Sequence, residues 1–189
     1  MTTLEIKEEL IRSVLELISK KSVDQISIRE IAKEAGVNSA AISYYFGGKD
    51  NLILEAMKVY WEELCTLYKS IFVGEITRER AEAFCYEIFG FCVRSKGITQ
   101  AEQKIFEANR GIDEDTKGRI ALQFNAMGYL VKNLRPELEE EMIPIKVVRL
   151  MSALSHPVIW MDMADQILPA EMALDVFIRA YIKDVVDTI

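Results

Sequence analysis

Few side chains of this 189-residue chain have the types and spacing that enzymatic catalysis requires. His156 is the only histidine, so it is the only imidazole that could serve as the base of a catalytic triad. The chain also lacks the G-x-S-x-G, H-E-x-x-H, G-x-G-x-x-G and phosphate-loop motifs. We therefore predict that the protein is not an enzyme. A helical enzyme with paired polar groups in a pocket stays open as an alternative.

The histidine and the cysteines are the remaining groups with reactive side chains. Cys65, Cys85 and Cys92 are odd in number and lack C-x-x-C spacing, so neither a disulfide framework nor a zinc site is indicated. We expect buried thiols, no metal and no cofactor, with redox sensing as the alternative. His156 could hydrogen-bond an effector or sense pH, but a satisfied core or interface histidine is the simpler interpretation.

Residues 27–52 have the spacing of a helix-turn-helix. Ser27 and Glu30 form an S-x-x-E capping box that starts one short helix, and Gly36 follows where a left-handed residue would end it. Asn38 can cap a second helix. Two short helices joined by a Gly-containing turn are the motif whose second helix enters the DNA major groove, although a helical hairpin in a core stays open. Small or polar side chains occupy the exposed face of the second helix: Ser39, Ala40, Ser43 and Tyr44.

The segment 36–52, G-V-N-S-A-A-I-S-Y-Y-F-G-G-K-D-N-L, resembles the DNA-binding signature of TetR-family transcriptional regulators. The shared features are the Ile-Ala pair of the preceding helix, the Gly-Val turn, the Tyr-Phe ending and the Lys-x-x-Leu opening of the next helix. The motif resemblance covers only the first part of the chain. The remaining length and the helical pattern also suit the family.

The resemblance implies a DNA-binding role for particular residues. Those that would hold phosphates are Ser27, Tyr44, Tyr45 and Lys49. Those that would lie at base edges are Ser39, Ala40, Ala41 and Ser43, and Asn38 completes the set. Ser43 departs from the family pattern, in which an aromatic residue is frequent. The second helix lacks Arg, Lys and Gln, so no bidentate base contact can be named and the operator sequence stays unknown.

The charge of the chain is unevenly distributed. The net charge is −7, whereas a DNA-binding protein is expected to be basic. Residues 1–52 carry 7 basic and 8 acidic groups, whereas residues 53–189 carry 16 and 22. A nearly neutral DNA-binding part can work if its few cations lie at phosphates, and an acidic remainder would repel non-specific DNA. The acidity could equally serve only solubility.

The periodicity predicts an all-α protein. We predict an N-terminal three-helix helix-turn-helix domain at 1–48 and a C-terminal effector-binding and dimerisation domain at 49–189, with a long helix at 49–73 linking the two. Pro157 should kink its helix near Ser155-His156. No signal peptide or membrane span is predicted, so we expect a cytoplasmic protein. The other predicted helices cover 4–20, 78–94, 100–109, 114–134, 143–163 and 169–186.

Two helices near the C-terminus are apolar on more than one face. Between 147 and 163 too many positions are apolar for a helix with one side in water, and the last helix repeats the pattern. One face of each can be buried in its own domain while the other meets a symmetry mate. We therefore predict a homodimer with a two-fold four-helix interface, which also suits DNA half-sites one helical turn apart. A buried central helix in a monomer is the alternative.

The middle helices are rich in aromatic and methionine side chains, which are more often core than ligand site. The family resemblance implies a pocket for a small, largely apolar effector in this region. We therefore predict a dimeric repressor that an effector releases from a palindromic double-stranded operator; a helical protein-protein adaptor is the alternative. The candidate ligand contacts are Trp61, Phe84, Phe89, Phe106, Phe124, Met127, His156 and Trp160.

Overall fold

The computed structural model describes residues 2–95, 97–98, 114–169 and 172–189. Within these ranges the regular elements are helices and no strand is found, which confirms the predicted all-α fold. The chain forms two compact units. The first comprises the residues up to Glu63 together with Ser95, Gly97 and Ile98. The second comprises Leu64–Arg94 and the described residues from 114 onward.

In the first unit two short helices lie between two long ones along the chain. Helix α4 contributes residues to both units, because the first unit ends at Glu63, within the helix. The predicted division at residues 48 and 49 stays a prediction. The elements are α1 (Thr3–Lys20), a 3-10 turn (Val23–Gln25), α2 (Ile28–Glu34), α3 (Ala40–Phe46) and α4 (Lys49–Ser70).

The core of the first unit follows the apolar periodicity of the sequence. Leu10, Val14 and Ile18 lie on one face of α1 and are fully buried. Ile31 of α2 and Ile42 of α3 are fully buried as well. Burial of each large aliphatic side chain contributes about 1.5–3 kcal/mol. This burial stabilises two seven-residue helices that would not persist in isolation.

A glycine allows the chain to approach the end of α1. A Cβ atom added to Gly97 would lie 1.7 Å from the carbonyl oxygen of Ile18, which is far inside the contact distance of two such atoms. The next residue, Ile98, is buried, and its N–H donates to the Ser95 carbonyl at 2.8 Å. Within the first unit, Gly97 is therefore required by close packing against the backbone of α1.

The second unit has one apolar core. Helix α5 (Arg78–Arg94) packs against α9 (Leu174–Asp187), and α6 (Glu114–Leu134) packs against α7 (Met142–Ser155). A 3-10 segment (His156–Met163) and a short α8 (Ala164–Ile167) follow α7. The predicted helix at 100–109 lies outside the described residues. Among the fully buried core side chains are Ile71, Ile88, Phe89, Met127 and Leu130.

Two predicted helix bounds are wrong. The helix predicted at 49–73 ends at Ser70. The Arg80 guanidinium donates to the carbonyls of Ser70 (2.9 Å) and Ile71 (3.2 Å). The last turn also tightens to i→i+3 bonds, so the α-helix does not continue. The helix predicted at 169–186 begins only at Leu174. Leu168 is extended, as a residue before proline prefers, and Pro169 begins a turn instead of a helix.

Pro157 breaks the long apolar helix at the predicted place. The α-helix ends at Ser155 and the chain continues as a 3-10 segment. In an α-helix the N–H of residue 157 would donate to the carbonyl of Ala153, but proline has no N–H. The Tyr181 hydroxyl of α9 donates to that carbonyl at 2.7 Å. Burial and the nearby Asp184 raise the pKa of Tyr181, so the hydroxyl stays protonated and can donate.

The second unit has exposed apolar side chains on two of its helices. On α7, Ile145 and Val148 are each 51% exposed, whereas Val147 and Leu150 of the same helix are buried. On α9, Val176 is 55% exposed. Both helices therefore present a buried and an exposed apolar face, as predicted from the sequence. Among the helices of the described residues, none is both long and apolar enough to cross a lipid bilayer.

We predict that the Tyr181 hydroxyl stabilises the second unit by bonding the carbonyl that Pro157 leaves without a helical partner. Tyr181→Phe should lower the free energy of unfolding by about 1 kcal/mol, because Ala153 then loses its hydrogen bond. In a Pro157→Ala background the restored N–H can serve that carbonyl, so the same change should cost less. Urea unfolding of the four proteins measures both values, and an equal cost in both backgrounds would contradict the explanation.

Candidate nucleic-acid interface

Helix α2 begins at a complete capping box. The Glu30 N–H donates to Ser27 Oγ at 3.2 Å, and the Ser27 N–H donates to a Glu30 carboxylate oxygen at 2.9 Å. Lys21, in the loop before α2, donates to the other carboxylate oxygen at 2.5 Å. The Lys21 ammonium, followed by the Ser27 N–H and hydroxyl, lowers the pKa of Glu30 to about 2. The start of α2 is thus tied to the loop that follows α1.

A left-handed glycine sets the angle between the two short helices. Gly36 has φ 64°, a value that residues with a Cβ rarely adopt. Its N–H donates to the Lys33 carbonyl at 3.2 Å, and the Val37 N–H donates to the Ala32 carbonyl at 2.9 Å. These two bonds form a Schellman motif, which satisfies the last carbonyls of α2 and turns the chain toward α3.

The next helix starts on an asparagine side chain. The Ala40 N–H donates to Asn38 Oδ1 at 2.8 Å, so Asn38 supplies the capping bond expected of it. Ile42 is fully buried and packs α3 into the core of the first unit. The predicted base-edge residues Ser39, Ala40 and Ser43 are exposed, and Ala41 is half-buried. A small and polar helix face therefore meets solvent, and a DNA backbone or base edge could approach it closely.

The predicted phosphate-binding residues lie around this exposed face. Tyr44 is 82% exposed, and its ring packs edge-on against the half-buried Tyr45 with centroids 4.8 Å apart. Ser27 is exposed at the start of α2, where its hydroxyl takes part in the cap. Lys49 points toward the loop before α2, and its Nζ donates to the Ile26 carbonyl at 2.9 Å.

Three cations near these residues were not singled out from the sequence. Arg29 and Lys33 are one turn apart on α2 and are exposed. Lys7 of α1 lies over the Tyr45 ring, with its Nζ 6.0 Å from the ring centroid. Within the described ranges, none of the three forms an ion pair. The i, i+4 spacing could have pointed to Arg29 and Lys33, whereas nothing in the sequence connects Lys7 with Tyr45.

The predicted ligand contacts do not share one environment. Phe84, Phe89 and Met127 are buried in the core of the second unit, whereas Trp61 is half-buried and belongs to the first. Phe124 and Trp160 are 39% and 48% exposed. His156 is exposed, and Phe106 lies outside the described residues. Their contact with a ligand stays a prediction.

A groove among the described residues lies apart from these predicted contacts. A surface groove of about 570 Å³ runs between α5 and α9, and Arg179 stacks over the Tyr86 ring within it at 5.0 Å. None of the predicted ligand contacts lines this groove. In the part of the chain that the structure describes, no group of three His, Cys, Asp or Glu side chains is placed to hold a metal ion.

The N-terminal segment matches a known family. Residues 10–56 match the family described as "Bacterial regulatory proteins, tetR family", and this confirms the resemblance predicted from the sequence. HTH-type transcriptional regulator BetI 1 of Chromohalobacter salexigens is 42% identical over 57 residues, which are 30% of this chain and 28% of that protein. BetI of Brucella anthropi is 38% identical over 78 residues, 41% of this chain and 40% of that protein. The matched region thus spans less than half of either relative.

The fold of the whole chain is similar to solved structures. A tetR-family transcriptional regulator from Streptomyces coelicolor has a TM-score of 0.67 and 20% identity, covering 98% of this chain and 80% of that one. The regulator FadR from Bacillus subtilis, solved in complex with stearoyl-CoA, has a TM-score of 0.65 and 15% identity, covering 96% and 98%. At these identities the similarity establishes the fold.

We predict that the Glu30 carboxylate stabilises the protein near neutral pH and loses this effect in acid. Its pKa is depressed from 4.5 to about 2 in the folded protein, so the contribution is present above about pH 4.5 and is lost as the pH falls toward 2. Glu30→Gln keeps the S-x-x-Q capping box but removes the charge that pairs with Lys21. The melting temperature of the variant should be below that of the wild type at pH 7, and the difference should shrink in acid.

Melting curves between pH 7 and pH 2.5 measure this difference. Glu8→Gln is the control for a general change of charge, because Glu8 is an exposed carboxylate of α1 for which the described residues show no ion pair. A difference between wild type and Glu30→Gln that stays constant or grows toward low pH would contradict the assignment.

Proposed function

We propose that this chain, which carries a TetR-family helix-turn-helix at residues 10–56, is a DNA-binding transcriptional regulator. The observation that carries the proposal is the exposed small and polar face of α3, set by the Gly36 turn and flanked by Tyr44. The relatives and structural neighbours named above are transcriptional regulators, which supports a role without catalysis. We infer that the protein acts in the cytoplasm.

In the DNA complex, α3 enters the major groove and the residues around it hold phosphates. Ser39, Ala40, Ala41 and Ser43 lie at base edges, where their small side chains permit close approach. The Tyr44 and Tyr45 hydroxyls bond phosphate oxygens beside them. Lys49 uses N–H groups for the Ile26 carbonyl and retains donor capacity for a phosphate, since an ammonium has three N–H groups. Ser27 and Asn38 complete the contact set at the helix starts.

Two copies bind together. The exposed apolar residues of α7 and α9, including Ile145, Val148 and Val176, are suited to packing on their symmetry mates in a four-helix interface. A two-fold dimer presents two reading helices to half-sites one helical turn apart, about 34–36 Å, and this requires a palindromic operator.

A small, largely apolar effector releases the dimer from DNA, so the protein acts as a repressor. FadR of Bacillus subtilis has a similar fold and was solved with stearoyl-CoA, which supports an effector with a long apolar part. The candidate contacts are the aromatic and methionine side chains of the helices that follow α3, together with His156. Reversal of a 99:1 preference for the DNA-binding state needs about 5.5 kcal/mol of differential effector affinity. Helix α4 belongs to both units and carries the change between them.

We predict that Tyr44→Ala weakens DNA binding by about tenfold or more, because a hydrogen bond to a charged phosphate is worth about 1.5–3 kcal/mol. Since the side chain is 82% exposed, the helix content and the dimer should be unchanged. Tyr44→Phe removes only the hydroxyl, and we expect it to lose most of the DNA affinity that Tyr44→Ala loses. Fluorescence anisotropy on a duplex from the upstream region of its own gene, against a random duplex and across a salt series, measures the affinities.

The same titration tests the proposed function as a whole. A wild-type protein that binds neither duplex in a salt-dependent way contradicts DNA binding and favours the adaptor alternative. Wild-type binding with an undiminished affinity of Tyr44→Ala contradicts the assigned interface. Lys49→Ala should weaken binding as well.

We predict that Val148→Glu converts the dimer to a monomer, because the two-fold axis would bring two carboxylates into an apolar contact. Val73→Glu is the matched control, since Val73 is 74% exposed and lies in the turn after α4, outside α7 and α9. Light scattering should give twice the 21.6 kDa chain mass for the wild type and for the control. A monomeric wild type, or a Val148→Glu protein that remains dimeric, would contradict the interface.

A further inference from the structure

Helix α1 carries a lysine at a position that its periodicity would assign to an apolar residue. Lys7 is three residues before Leu10 and seven before Val14, and both of these are fully buried on one face of the helix. The ring of Tyr45 resolves this mismatch, because it lies beneath the ammonium at 6.0 Å from Nζ to the centroid. Lys7 as a whole is half-buried, which suits a side chain whose methylene stem can cover apolar surface.

The contact links α1 to the exposed end of α3. Tyr45 packs edge-on against Tyr44 at 4.8 Å between ring centroids, and Tyr44 is 82% exposed. The Lys7 ammonium, the Tyr45 ring and the Tyr44 ring are therefore in consecutive contact, and each of the three side chains carries a hydrogen-bond donor. An ammonium is a cationic donor and a phenol hydroxyl is a neutral one, and both bond phosphate oxygens.

Three other cations of the first unit already bond groups of the same unit. Arg12 pairs with Glu9, Lys21 pairs with Glu30, and Lys49 donates to the Ile26 carbonyl. Lys7 has no ion pair among the described residues, so its charge is not neutralised within the unit. The aromatic ring restricts the side chain without removing its charge, which lowers the entropy cost of binding an anion there.

We propose that Lys7 is a phosphate-binding residue of the DNA interface and that Tyr45 holds it beside Tyr44. The proposal rests on the proposed function and adds to it a contact from α1. Arg29 and Lys33 of α2 are also exposed cations, but within the described ranges no aromatic ring contact restrains them toward α3. The bound group is a backbone phosphate of double-stranded DNA, so the contact contributes affinity without selecting a base.

The salt dependence of DNA binding tests the contact. Each lysine that neutralises a phosphate contributes about 0.9 to the slope of log K against log salt concentration. In Lys7→Gln the magnitude of this slope should therefore fall by about 0.9 per protomer. Lys7→Arg keeps the charge over the ring and should restore the wild-type slope. The measurement uses the full-length protein and a labelled duplex from the upstream region of its own gene.

Lys20→Gln is the matched control. It removes the same charge from the same helix, about 20 Å along the axis from Lys7 at 1.5 Å per residue. Lys20 is not one of the residues assigned to phosphates, and at a distance beyond the Debye length of about 8 Å it does not act on an anion bound at Lys7, so the slope of the control should remain at the wild-type value. A Tyr45→Leu background provides a second check, because Lys7→Gln should change the slope less once the ring no longer holds the ammonium.

The outcomes separate this proposal from the proposed function. If the wild type shows no salt-dependent DNA binding, the proposed function is contradicted, and so is the Lys7 contact that rests on it. A wild type that binds, with Lys7→Gln and Lys20→Gln both at the wild-type slope, contradicts the Lys7 contact alone. A Lys7→Gln protein with weaker binding, an unchanged slope and a lower melting temperature would show a purely structural role and would also overturn the proposal.

Discussion

The first unit depends on the hydrogen bonds that close the ends of two very short helices. Helices α2 and α3 have seven residues each, about half the length at which an isolated helix becomes even marginally stable in water. Each leaves several N–H and carbonyl groups without intrahelical partners. Ser27, Gly36 and Asn38 satisfy these groups at successive ends. With Ile31 and Ile42 buried beneath, the caps fix the direction of α3 and hence the face that it exposes.

The same requirement explains the two places where the second unit interrupts a helix. At the end of α4 the Arg80 guanidinium donates to the carbonyls of Ser70 and Ile71, and the Val73 N–H also donates to the Ser70 carbonyl at 3.3 Å. At Pro157 the missing N–H leaves the Ala153 carbonyl, and Tyr181 of α9 bonds it from another helix. Both breaks are therefore stable features of the fold. The bonds to the Ile71 and Ala153 carbonyls are partly buried, so each side chain avoids a part of the about 1–3 kcal/mol that an unpaired, fully buried carbonyl costs.

Electrostatics gives the proposed DNA interface a particular character. The chain is acidic overall, and the first 52 residues carry nearly balanced charges, so bulk attraction to DNA is weak. Some cations of the first 52 residues also bond groups of the protein itself. Lys21 pairs with Glu30, and Lys49 donates to the Ile26 carbonyl. Affinity must then depend on a few placed contacts, and a side chain such as Lys7 counts for more than it would on a basic surface. The exposed face of α3 lacks Arg, Lys and Gln, so in the proposed complex it would depend on close packing and backbone contacts instead of long bidentate side chains.

Local features of this protein followed from the sequence alone, because the groups that form them are neighbours along the chain. The capping box of Ser27, the left-handed Gly36 and the break at Pro157 each depend on hydrogen bonds that are made or lost within a few residues. Tertiary structure alone decided the contacts between distant residues. Lys7 meets Tyr45 across 38 positions, and Tyr181 reaches Ala153 across 28, although no periodicity connects either pair. The physical reason is that residue spacing encodes which groups one helix brings together, whereas helix packing sets which side chain of another helix reaches them.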